Sequence, residues 1–162
     1  MTAPVQQIED AIIERLKARL PGRVARIEPF PDRPSDFDFA EREGAVVLVH
    51  FAGADYSAPD GPRTAYSPLR TLKWSIVLLV RSLRGAEGGR IGAYAALEEI
   101  RRALQGVGLA GATPMTPKRE VLDEEKAGVW RWSLEFTCAI PAIAEAQHER
   151  ERFYTDPREG QP

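Results

Sequence analysis

Cysteine, histidine and uninterrupted apolar sequence are all scarce in this chain. Cys138 is the only cysteine among 162 residues, so no internal disulfide can form and no cysteine-based zinc site can be assembled. The two histidines, His50 and His148, stand far apart, and neither brings the positioned partner that acid–base work requires. An apolar run such as Ile76–Val80 falls far short of the ~20 residues that cross a bilayer, so no membrane span is expected. The first ten residues lack the charged-then-apolar layout of a secretory signal, which makes the cytoplasm the expected site of synthesis. Charge of one sign is lacking too. Basic and acidic residues number 22 and 24, whereas a tight nucleic-acid binder concentrates a basic excess on one face. No specific nucleic-acid binding is expected.

What is present suits one globular domain. With 43% hydrophobic residues, a chain of this length can bury roughly 70% of the surface its unfolded form exposes, without a metal or disulfide to hold it. From Val5 to Leu20, apolar residues Val5, Ile8, Ile12, Leu16 and Leu20 recur at spacings of three and four. That period predicts an amphipathic helix, with Thr2 as a cap, Pro4 in the first turn and Pro21-Gly22 as the stop. A short strand is expected at Arg23–Glu28, followed by an irregular stretch enforced by Pro29, Pro31 and Pro34.

Ala45–Phe51 holds the β-branched run Val46-Val47-Leu48-Val49 and reads as a strand buried on both faces. A polar loop then runs from Gly53 to Pro68. Leu69–Arg81 alternates strictly: Leu72, Trp74, Ile76, Leu78 and Val80 share one face. The opposite face begins with Thr71, Lys73 and Ser75 and turns apolar at Val77 and Leu79, so this strand passes from solvent into a packed region. A second helix is expected over Arg90–Leu104 on the stripe Ile91, Tyr94, Leu97, Ile100 and Leu104, with Glu98 and Arg102 paired on its outer side. Lys118–Glu124 and Val129–Ile140 form a hairpin turning around Glu125–Gly128, its second arm carrying Trp130, Trp132, Leu134, Phe136 and Cys138 on one face. Strands fall in adjacent groups separated by one helix. The fold class this predicts is α+β, a single antiparallel or mixed sheet of four to five strands with both helices on one face. Residues 1–140 make the domain, and 141–162 form a C-terminal extension that is partly helical or flexible.

Sites of chemistry are hard to find. Asp32, Asp36 and Asp38 alternate in the proline-rich stretch, but the glycine and the downstream glutamate of a calcium loop are missing. Gly85–Gly89 precedes a helix without the Gly-Lys-Ser/Thr ending of a phosphate loop, so it reads as a connector. Asp123-Glu124-Glu125 reads as a solvated hairpin tip, and Cys138 as a packed core thiol. No catalytic, cofactor or metal residue is expected, and no enzyme.

Six segments, taken in order, carry a resemblance. They are Ile8–Gly22 (IEDAIIERLKARLPG), Ile27–Asp32 (IEPFPD), Gly44–Gly53 (GAVVLVHFAG), Leu72–Gly85 (LKWSIVLLVRSLRG), Gly92–Gly106 (GAYAALEEIRRALQG) and Val129–Cys138 (VWRWSLEFTC). Together they are similar to the Mu-like phage tail-terminator family, small tail-completion proteins of contractile-tailed phages and related particles. Each motif alone is unspecific; the order and spacing carry the likeness. The resemblance implies a structural protein without catalytic residues that forms a ring of its own copies, six-fold, on the head-proximal end of the tail tube. Its implied partners are the tail tube protein and the sheath and neck proteins, and DNA would pass through the ring. It implies a place in the virion tail after assembly in the bacterial cytoplasm. Another neck, connector or tail-initiation component is the alternative, and a small-ligand-binding domain a more distant one.

Candidate interface residues follow from the loops. Phe30, Phe37 and Phe39 are large aromatics in a stretch with no obvious core, and anchors of that kind dominate interfaces. They would equally serve as a local cap folded over the sheet. Arg81 and Arg84 flank the end of the long strand, where they either pair across an interface or stay solvated.

Overall fold

The computed structural model describes residues 2–20, 22, 24, 26–34, 39, 44–57, 68–85 and 91–142. In order they form α1 (Pro4–Arg19), β1 (Arg26–Pro29), β2 (Ala45–Tyr56), β3 (Leu69–Val80), α2 (Ala93–Leu104), β4 (Thr116–Lys126) and β5 (Val129–Pro141). The strands make one mixed sheet in the order β1-β2-β3-β5-β4. β1 runs parallel to β2 and the other neighbours are antiparallel. This is the α+β class the pattern predicts.

Both helices cover one face. α1 presents Ile8, Ile12 and Leu16 and packs on β1 and β2; α2 presents Ala96, Ile100 and Leu104 and packs on β3. Opposite them lie Val47 and Val49 of β2, the even-numbered residues of β3 from Leu72 to Val80, and Leu134, Phe136 and Cys138 of β5. Trp74 sits at the centre with no exposed surface, its ring tilted against Phe51 at 5.3 Å. Burying each such side chain contributes about 1.5–3 kcal/mol, so this layer is the main source of stability. Burial also raises the Cys138 thiol above its ordinary range, which keeps it protonated within the core.

Several local readings shift. α1 is capped by Ala3 with no side-chain bond; Thr2 instead lends its carbonyl to the Gln7 side-chain amide at 2.9 Å. α2 begins at Ala93, and its buried stripe is Ala93, Ala96, Leu97, Ile100, Ala103 and Leu104, with Tyr94 about half exposed. Alanines rather than the tyrosine face inward because the helix lies close to the sheet. Its start is held by the end of β3, where Ala93 and Tyr94 donate to the carbonyls of Ser82 and Leu83 at 2.8 and 3.1 Å. Gly92 permits this approach, since a Cβ there would fall 2.2 Å from the Gly85 nitrogen. β2 extends to Tyr56 past a bulge between Phe51 and Gly53. The acidic residues Asp123, Glu124 and Glu125 lie within β4 rather than at the tip. The turn is Ala127-Gly128, both with positive φ of 53° and 78°, the two-residue geometry that matches the twist of flanking strands. Only Pro141 and Ala142 of the expected extension are described.

Candidate functional site

Among the described residues, the other face of the sheet carries no helix. Strand alternation divides it into an apolar end and a charged end. At the apolar end, Val46, Leu48 and Val77 form a second buried cluster, with Phe30, Phe39 and Leu79 packed over it. β3 thus has an apolar second face from Val77 onward, as its sequence predicts.

Three of the five expected interface residues converge here. Phe30 follows β1 directly; its N–H donates to the Val49 carbonyl at 2.8 Å, and its ring meets His50 at 5.0 Å. Arg131 of β5 reaches over the same ring at 5.9 Å. Phe39 lies under the Arg81 guanidinium at 4.6 Å, while Arg81 Nη2 donates to the Phe39 carbonyl at 3.3 Å. Both phenylalanines are half-buried. They bind the proline-rich stretch to the sheet and still offer part of each ring outward. Arg84 is exposed beyond the end of β3 and makes none of these contacts. Phe37 lies outside the described residues.

At the charged end, ion pairs run across the strands. Lys73 Nζ meets Asp55 at 2.7 Å. Arg119 grips Glu135 in a fork, Nε to Oε2 at 2.6 Å and Nη2 to Oε1 at 2.9 Å. Alongside the apolar end, where Arg131 and Ser133 pair in register with Leu79 and Val77, Arg131 faces Asp123 at 3.6 Å, and Asp123 also accepts from the Ser133 hydroxyl. The Arg119 bond holds the Glu135 carboxyl below its usual range, and the same pairing raises Arg119. Asp55, Thr71, Lys73, Lys118, Glu135 and Thr137 line a shallow depression of about 540 Å³ between these rows. Most cations here already hold a carboxylate, so the surface offers matched hydrogen-bonding groups rather than a strong field for phosphate. Sequence reading placed Lys73 on the polar face of its strand but did not find these pairs, because cross-strand partners such as Arg119 and Glu135 meet only once the register is known.

Among the described residues, chemistry-bearing groups do not gather. His50 stands exposed within β2 beside Phe30, Cys138 is buried on the opposite face, and His148, Asp36 and Asp38 lie outside the described residues. Among the described residues, no group of three histidine, cysteine or carboxylate side chains is placed to hold a metal ion. No described helix is long and apolar enough to cross a membrane.

The fold is similar to that of a chain in the virion of a native gene transfer agent particle. That likeness has a TM-score of 0.62 at 15% identity, covering 88% of this chain and 100% of that one; at such identity it is a likeness of fold. By sequence, no curated protein matches. Residues 12–156 match the model of the Gp37 protein family, nearly the whole chain, and the protein therefore belongs to that family.

Proposed function

We propose that this chain is the tail-terminator subunit of a contractile phage tail or a phage-derived particle. Copies form a six-fold ring that caps the tail tube at its head-proximal end and joins it to the neck, meeting the tube protein and the sheath and neck proteins. The observation that carries this reading is the fold shared over the full length of a gene transfer agent virion chain, alongside the tail-terminator wording of six sequence segments. The described surface supports it. A polar, ion-paired sheet face with half-exposed aromatics at one end suits repeated protein contact. Phe30, Phe39 and Arg81 are the contact residues this reading favours, with Phe37 and Arg84 alongside them.

Deleting the gene in a producing host tests the role. Tubes of uncontrolled length that fail to join heads, restored to normal by the intact gene, are expected. Particles with joined tails of ordinary length would refute it.

A further inference from the structure

The sheet order sets two oppositely charged segments on opposite lateral edges of the subunit. From Arg15 to Arg26 the sequence carries Arg15, Lys17, Arg19, Arg23 and Arg26 with no acidic residue. From Glu120 to Glu125 it carries Glu120, Asp123, Glu124 and Glu125 with no basic residue. Of the first segment, Arg15, Lys17 and Arg19 lie at the end of α1 and Arg26 begins β1, with Arg23 outside the described residues, and α1 packs on β1, β2 and α2. The second lies in β4, which among the described residues is the edge strand on the far side of the sheet.

Part of this charge is spent within the subunit and part is not. Asp123 faces Arg131, Arg26 pairs with Glu28 at 3.4 Å, Arg15 donates to the Ala103 carbonyl at 2.9 Å, and Glu120 adds to the charges that raise Arg101. Lys17, Arg19, Glu120 and Glu124 are exposed and make no ion pair among the described residues. The dipole of α1 favours cations in its last turn, which explains their position but leaves their charge unmatched at the surface.

We infer that the acidic β4 edge of one copy docks on the basic α1–β1 edge of a second copy, head to tail. The inference rests on the ring reading above and names the surfaces that build the ring. A closed ring needs two different, complementary patches on opposite sides of each subunit, and these edges meet that need in both position and sign. Pairing β4 with β4 about a two-fold axis would leave the basic edge without a use. Contacts of this kind set register and speed encounter, and added salt weakens them.

Two variants separate the possibilities. One reverses the acidic edge, Glu120→Lys with Glu124→Lys; the other reverses the basic edge, Lys17→Glu with Arg19→Glu. All four positions are exposed, and unchanged circular dichroism and melting establish that each variant folds. Self-association is followed by sedimentation velocity. In parallel, disulfide formation is followed in a chain carrying Lys17→Cys and Glu124→Cys, where the buried Cys138 keeps the background low. Each reversal should weaken association about tenfold or more. Mixing the two variants should restore it, because every contact then joins opposite charges. Four results overturn the inference: a basic-edge reversal that associates like the native chain, failure of mixing to restore association, no intermolecular disulfide, or a basic edge needed only to retain DNA or tube protein. The tail reading fails separately. Copies that assemble through these edges yet are missing from particles keep the contact and lose the tail role, while reversal-insensitive copies inside particles do the opposite.

Discussion

Replacing Phe39 with alanine removes the ring that covers Val46, Leu48 and Val77 and lies 4.6 Å beneath the Arg81 guanidinium. Truncating a fully buried phenylalanine costs about 3–5 kcal/mol; for a half-buried ring the packing loss is about half of that. Losing the cation–π contact adds about 0.5–1 kcal/mol at a site open to solvent. The expected destabilisation is therefore about 2–3 kcal/mol, and at roughly 2–4 °C per kcal/mol for a chain of this size the melting temperature falls by about 4–12 °C. Urea unfolding at 25 °C reads the same loss as a lower midpoint with an unchanged slope. An unchanged midpoint would refute the idea that Phe39 caps the second cluster. If assembly were lost at the same time, the ring would be an anchor for a neighbour and nothing else.

Further outcomes follow from the packing and the charges. Trp74→Ala, at the wholly buried centre of the sheet, should cost about 3–5 kcal/mol in denaturant unfolding, enough to threaten folding at ordinary stability. Gly92→Ala forces a Cβ against the backbone of Arg84 and Gly85 and should lose about 1–3 kcal/mol or more; a neutral result would mean that the β3–α2 connection can move aside. Glu135 and Glu98 both sit below the ordinary value of 4.5 through their arginine partners. A depressed carboxyl contributes stability above its unfolded value and loses it as pH falls through the folded one. Melting temperature measured from pH 7 downward should therefore begin to fall near pH 4.5, and Glu135→Gln should flatten that fall.

The elements were legible because their periods were clean. β3 alternates over its whole length, α1 keeps its three–four spacing, and the hairpin places a glycine where a two-residue turn needs positive φ. Boundaries were less legible where tertiary contact decides them. α2 begins at Ala93 because the carbonyls of Ser82 and Leu83 receive its first N–H groups, and Tyr94 turns outward because Ala93 and Ala96 let the helix approach the sheet. A cap of Phe30 and Phe39 over the sheet was one of two readings the sequence left open, but their meeting with Arg81 was not readable. It depends on β1 lying parallel to β2, which brings Phe30 onto the open face, and on Phe39 packing beside it under Arg81. The opposed charge of the two edges was present in the sequence as a basic run and an acidic run. Its meaning appeared only when the sheet order put them on opposite sides.

A reconstruction of particles purified from a producing host, with this chain located in the density, tests the central claim most directly. The account predicts a closed ring of copies at the head-proximal end of the tail tube, each placing its β4 edge against the α1–β1 edge of the next. Density for the chain elsewhere in the particle, or particles complete without it, would contradict that account.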